Sequence, residues 1–220
     1  MKLFDRITAL LYPPKCVLCG RVLAAQETDL CHHCRIEAPV CPEFRTKRQF
    51  LTGWTALWYY ESFVRKSLLR FKFYGKRSYA VVYGRLLAMK ISRELPEDLD
   101  VVTWVPISRW RRFRRGYDQS ELIARAVAAE LGMDCLCLLH KIRNNRPQSR
   151  IRGQAQRRAN VLGAYVTVDQ EKLAGKRILL LDDIITTGAT AGECARVLLT
   201  AGAKDVYCAA VAAARSQKKK

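Results

Sequence analysis

The sequence predicts an α/β fold, a mostly parallel sheet flanked by helices, with a small four-cysteine module in front of it. Three observations carry this reading. From Trp54 onward, short apolar runs alternate with stretches of helical periodicity. One apolar run, Ile178 to Leu181, ends in two adjacent acids and a Gly/Thr loop that opens a helix. Two CxxC pairs are crowded into the first 34 residues. The 220 residues are 50% hydrophobic, as in a folded globular chain, and allow one domain of roughly 170 residues with an appendage.

Residues 2–11 read as a short amphipathic helix, stopped by Pro13 and Pro14. Their longest uncharged apolar run, Ile7 to Tyr12, is too short for a secretion signal. No stretch reaches the roughly 18 apolar residues of a membrane span. A cytoplasmic chain without membrane insertion is therefore expected. Its nine cysteines are not a disulfide framework in that compartment. Cys16-Val-Leu-Cys19 and Cys31-His-His-Cys34 lie eleven residues apart. Each CxxC turn offers two thiolates to adjacent corners of one tetrahedral cation, and redox dithiols would need a thioredoxin-like context that is missing here. One structural zinc per chain, held by Cys16, Cys19, Cys31 and Cys34, is the reading. Cys41 has no second cysteine at the following CxxC position, so no second metal is expected. Cys135, Cys137, Cys194 and Cys208 read as small core residues.

The helix and knuckle are assigned to residues 1–44, and 42–53 read as a polar linker. The α/β domain is assigned to 54–213, and residues 214–220 to a disordered basic tail. Within the domain, Trp54 to Tyr60 reads as a strand, and 62–73 and 77–92 as helices split at Gly75. Val101 to Val105 is a strand leading into an arginine-rich loop. Residues 118–131 repeat Leu122, Ile123, Ala126, Val127 and Leu131 at helical spacing and stop at Gly132. Strands are expected at 135–139, 164–168, 178–181 and 206–211, a helix at 190–201, and an aperiodic basic loop over 143–160.

The stretch Asp182-Asp-Ile-Ile-Thr-Thr-Gly-Ala-Thr190 carries the most chemistry. It sits where open α/β sheets bind ligands, at the C-terminal edge of a strand. Gly188 permits backbone geometry that other residues resist. The amides of Thr186 to Thr190 converge on one phosphate at the positive end of the next helix. The GxxxxGK[ST] pattern is absent, so ATP hydrolysis has no support.

This stretch resembles the phosphoribosyl-pyrophosphate (PRPP) motif of type I phosphoribosyltransferases. The resemblance implies that Asp182 and Asp183 accept the ribose hydroxyls. It implies that Thr186, Thr187, Gly188, Ala189 and Thr190 cradle the 5′-phosphate, and that magnesium enters with PRPP. The remaining motifs are Leu69-Arg-Phe-Lys-Phe-Tyr-Gly75, Val105 to Gln119, and Arg157-Arg-Ala-Asn-Val-Leu-Gly163. With the knuckle, and in this order, they make the chain similar to the ComF family over nearly its whole length. That family implies a phosphoribosyltransferase-like fold and a role in natural competence, the uptake of single-stranded DNA. It also implies a pyrophosphate loop, for which Ser108 and Arg109 are the candidates, and a hood over the ligand at 143–160. In the purine-salvage branch the loop position held here by Thr186 carries an aspartate base. A threonine hydroxyl accepts no proton at neutral pH, so no catalytic residue is assigned.

The net charge is +19. Between Val105 and Asn160, thirteen Arg or Lys face four acids, a surplus of nine beside the proposed site. That exceeds what one PRPP needs and points to single-stranded DNA, with Arg111, Arg112, Arg114 and Arg115 as phosphate contacts and Phe113 and Tyr117 as stacking or core residues. A second basic stripe, Arg65, Lys66, Arg70, Lys72, Lys76 and Arg77, runs with Phe71, Phe73 and Tyr74. Three functions stay open at this point. One is a magnesium-dependent transferase that displaces pyrophosphate at ribose C1 with an amine or base acceptor. The second is a module that holds DNA beside the competence translocation machinery, with PRPP, or another ribose phosphate, as effector or not at all. The third is a knuckle protein that docks a competence helicase.

Overall fold

The computed structural model describes residues 13–42, 45–48, 50–145 and 154–215. The 2–11 helix, the tail 216–220 and the middle of the basic loop fall outside these residues. A five-stranded sheet forms the centre, in the order β1-β2-β7-β6-β3. These strands are β1 (Arg45–Arg48), β2 (Leu51–Tyr59), β3 (Val101–Trp104), β6 (Arg177–Ile185) and β7 (Asp205–Ala213). β2, β7, β6 and β3 run parallel, and β1 is the antiparallel edge. A two-stranded ribbon, β4 (Leu139–Lys141) with β5 (Tyr165–Thr167), lies apart.

Side chains alternate across a strand, and β6 shows why this sheet is covered on both faces. Leu179 and Leu181 belong to one core cluster, and Ile178 and Leu180 to the other. The first face is covered by α2 (Ser62–Phe73), α3 (Tyr79–Glu94) and α5 (Gln119–Leu131), through Leu68, Phe71, Tyr83, Leu87, Ile123 and Val127. The second is covered by α7 (Ala189–Thr200), with Cys194, Ala195 and Leu198 inward, and by Leu139 and Tyr165 of the ribbon. The knuckle, with α1 (His32–Glu37), buries Val17, Leu18, Leu23 and Leu30 in the first-face cluster.

Four sequence expectations need correction. Residues 42–53 are no linker: they supply β1 and the start of β2, because an edge strand needs no apolar alternation to hydrogen-bond its neighbour. The arginine-rich loop winds into a helix, α4 (Arg109–Arg115), capped by Ser108 and ended by Gly116 in the left-handed region. Strand 135–139 is reduced to a bridge at Cys135 against Val102, and Cys137 is exposed instead of buried. The last part of the basic loop is helical, α6 (Gln154–Val161).

Helices α3 and α5 approach closely at Gly84, where an added Cβ would lie 2.3 Å from Ala126 Cβ and 2.9 Å from its carbonyl carbon. Alanine gains about 1 kcal/mol of helix propensity over glycine, but overpacking against backbone costs about 1–3 kcal/mol. Gly84→Ala is therefore expected to lower stability in urea denaturation, despite the better helix former.

Candidate functional site

Four sulfurs define the first site. Those of Cys16, Cys19, Cys31 and Cys34 all lie within 4.8 Å of one another, and Cys19 Sγ is 3.7 Å from Cys31 Sγ. A tetrahedral zinc with bonds of about 2.3 Å has sulfur–sulfur edges of about 3.8 Å, so the set fits a closed, structural zinc site. Cys31 caps α1 and accepts from Cys34 N, which holds the second pair in register.

The second site is a cavity of about 460 Å³ at the C-terminal edge of β3 and β6. Its floor is the end of β6. Asp182 accepts from Ser120 Oγ at 3.1 Å and from Asp183 N at 2.8 Å, and Asp183 pairs with Lys72 Nζ at 2.5 Å. Burial, reinforced by the neighbouring Asp183 charge, raises the Asp182 carboxyl well above the usual carboxylate range. Thr186 and Thr190 line the same cavity. Gly188, at φ 75°, starts α7 in a conformation that favours glycine, and Ala189 N donates to Thr187 Oγ1 at 3.4 Å.

The rest of the charged lining is cationic. Arg65, Lys72, Arg111, Arg115, Lys141 and Arg157 line the cavity with the two aspartates. Lys141 Nζ donates to Tyr165 OH at 3.1 Å, and burial together with the Arg111 charge pulls its amine down to about 8. Sequence reasoning missed Lys141 and Tyr165, which reach the cavity only because the β4–β5 ribbon packs beside α7.

The arginines of α4 sort by helical phase. Arg111 and Arg115, four apart, face the cavity: Arg111 donates to Asn145 O at 2.6 Å, and Arg115 to Gln119 Oε1 at 2.7 Å. Arg112 and Arg114 face outward, toward Glu121 and over the Trp110 ring. Ser108 is buried as the α4 cap and donates to Asn144 Oδ1, and Arg109 is exposed. The neighbouring Val105, Pro106 and Ile107 line the cavity in their place. The two proposed stacking residues separate. Phe113 is 89% exposed, whereas Tyr117 is buried at 7% and donates to the Phe71 carbonyl.

Asp118 anchors this lining. Its carboxylate accepts from Ile107 N at 2.9 Å and from Ser120 N at 3.1 Å, so one side chain caps α5 and holds the loop that follows β3.

The parallel sheet and the strand-edge cavity, with two acids and six cations in its lining, define an α/β protein with its site at the C-terminal ends of the strands. The chain belongs to the phosphoribosyltransferase family: the model of the phosphoribosyl transferase domain matches residues 83–220. The double zinc ribbon domain matches residues 7–47. The chain is 29% identical to Competence protein ComFC of Streptococcus pneumoniae, over 87% of this chain and 96% of that protein. It is 27% identical to Competence protein ComFC of Bacillus subtilis, over 85% and 72%. It is 28% identical to DNA utilization protein YhgH of Salmonella typhi, over 87% and 86%. No helix among the described residues is long and apolar enough to cross a membrane.

Burial raises the Asp118 carboxyl to about 6, even with its backbone donors. A carboxyl whose folded-state pKa exceeds its unfolded value of about 4 favours the fold at acid pH, and that contribution is lost as the pH rises through about 6. Asp118→Asn keeps an acceptor for Ile107 but does not titrate. Its stability relative to the parent is expected to rise by about 2–3 kcal/mol between pH 4 and 7, read from urea midpoints at each pH.

Proposed function

We propose that this chain binds PRPP with magnesium in the cavity and single-stranded DNA on the adjoining basic and aromatic face, in the service of DNA uptake. The observation that carries the first half is one cavity shared by the Asp182–Asp183 pair, the Thr186–Thr190 loop and six cations. In this reading Asp182 and Asp183 accept ribose hydroxyls, and the loop amides and threonine hydroxyls take the 5′-phosphate. The pyrophosphate meets Ile107, Arg111 and Lys141, with Arg115 and Arg157 beside them. Magnesium, held mainly by ligand oxygens, would neutralise pyrophosphate charge, which suits its preference for few protein ligands.

Binding without turnover is the favoured form. Thr186 stands where a base would act, and the raised carboxyl of Asp182 is committed to Ser120 and the ribose. The second half rests on exposed aromatics and outward cations: Trp110 and Phe113 on α4 beside Arg112 and Arg114, and Phe73 and Tyr74 at the end of α2. Aromatic faces stack any base, and guanidinium groups neutralise backbone phosphates without reading sequence. The names of the relatives, competence and DNA utilization, agree with such a ligand. Cytoplasmic location and a competence helicase as neighbour belong to the same proposal.

PRPP with magnesium at about 100 times its Kd is expected to stabilise the fold by roughly 2.7 kcal/mol, a melting shift of about 5–10 °C. Asp182→Asn with Asp183→Asn should abolish the shift. A shift that survives the double substitution places the ligand elsewhere.

For DNA, four to six phosphate contacts give a log–log salt slope of about −3 to −4 with a single-stranded 30-mer. Replacing Arg112 and Arg114 with Ala should flatten that slope by about 1, while Trp110→Ala and Phe113→Ala should each cost about 1–3 kcal/mol and leave it unchanged. Absence of binding in low salt removes DNA from the proposal and leaves a small-molecule protein with a basic surface.

A further inference from the structure

Helix α2 touches the zinc knuckle on one side and lines the proposed ribose end of the cavity on the other. Residues two apart on a helix point about 200° away from each other. Ser67 and Arg70 face the knuckle. Ser67 Oγ donates to the Val17 carbonyl, and Arg70 Nη2 donates to the Leu18 carbonyl at 2.5 Å. Val17 and Leu18 are the two residues between Cys16 and Cys19, so both carbonyls belong to the turn that spaces the first thiol pair. Leu69 and Lys72, each two residues further on, point the other way. Both line the cavity, and Lys72 holds Asp183.

Further contacts remove slack from this arrangement. Ser67 Oγ also pairs with Tyr83 OH at 2.6 Å, fixing α2 to α3. Arg85 of α3 forks onto both oxygens of Asp29, whose carbonyl accepts from Val17 N at 3.0 Å. Arg70 is half-buried and its Nε has no partner among the described residues, so the bond from Nη2 to Leu18 partly offsets that atom's burial. The Val17 and Leu18 side chains share one core with Leu68 and Phe71 of α2. A packed helix shifts as a unit, and a displaced turn would take the carbonyl anchors of α2 with it.

We infer that α2 couples the four-cysteine knuckle to the ribose site: the metal-closed turn places α2, and α2 places Lys72 on Asp183. The inference rests on the PRPP reading above for its ligand arm. Coupling between two binding events is reciprocal, so occupancy of the ribose site tightens the hold of the knuckle on its zinc.

The test times zinc release from the full chain into excess coloured chelator, with magnesium present throughout and PRPP added or omitted, while calorimetry follows PRPP occupancy. Saturating PRPP is expected to slow release by about fivefold or more. Arg70→Met, and independently Ser67→Ala should the first variant not fold, should still bind PRPP but bring the slowing below about twofold. PRPP occupancy without slowing overturns the coupling, and so does slowing that persists in both variants. If calorimetry shows no PRPP binding, the ligand reading fails by itself, and the coupling is decided on ligand-free protein. There Lys72→Met should speed release by a similar factor, and Lys66→Met, an exposed lysine of the same helix, should not. Equal rates for Lys72→Met and the parent overturn the coupling, as does protein that purifies without zinc.

Discussion

Two adjacent carboxylates at the end of a buried parallel strand set the constraint that the surrounding structure answers. β6 lies between β3 and β7, so its end opens into the crevice where strand-edge ligands sit, but the same position leaves Asp182 and Asp183 only partly exposed to water. Charge in that setting must be paired or protonated. Each compensating group comes from a different element: the hydroxyl of Ser120 from α5, the ammonium of Lys72 from α2, and the amide of Asp183 from β6 itself. The helices that cover the first face of the sheet therefore do two jobs. Their apolar stripes close the core, and their ends deliver the partners of the acid pair.

The rest of the cavity follows from the opposite imbalance. Six cationic side chains approach two acids, and two of those cations show the strain of crowding: burial with the Arg111 charge lowers Lys141, and burial with the Arg115 charge lowers Arg111. A polyanion would relieve this repulsion, and the same six groups would otherwise repel one another across a cavity of modest size. Arg111 and Arg115 face in and Arg112 and Arg114 face out, so a single seven-residue helix presents guanidinium groups to the cavity on one side and to solvent on the other. The cation surplus read from the sequence is thus two surfaces, separated by helical phase.

The sequence already contained the parts whose chemistry is local. The Asp182–Thr190 stretch and the paired CxxC turns are contiguous, and their geometry follows from short-range rules of strand end, glycine and turn. α2 falls at 62–73 as its periodicity predicts. The α4 helix reads as a loop in the sequence despite its Ser108 cap and Gly116 stop, because five arginines in seven residues hide any apolar period. Lys141, Tyr165 and Asp118 were not legible as site residues. Lys141 and Tyr165 sit on three-residue strands too short to show alternation, and their meeting depends on ribbon packing over a span of 24 residues. Asp118 looks like an ordinary helix cap until the fold brings Ile107 N to its second oxygen.

The knuckle shows why the module and the domain cannot be treated as independent. A segment of about 30 residues buries too little surface to fold on core alone, and a four-thiolate metal site supplies most of what is missing. Here the segment draws on a second source as well. Val17, Leu18, Leu23 and Leu30 enter the core formed by α2 and α3, and Cys16 and Cys34 are buried in the same cluster. The thiols are therefore metal ligands and core residues at once. A change at the sulfurs alters packing along α2, and a change in α2 alters the frame that holds the sulfurs. The sheet passes charge compensation from its edge into that helix through Lys72, so one continuous body of packed side chains connects the knuckle to the acid pair.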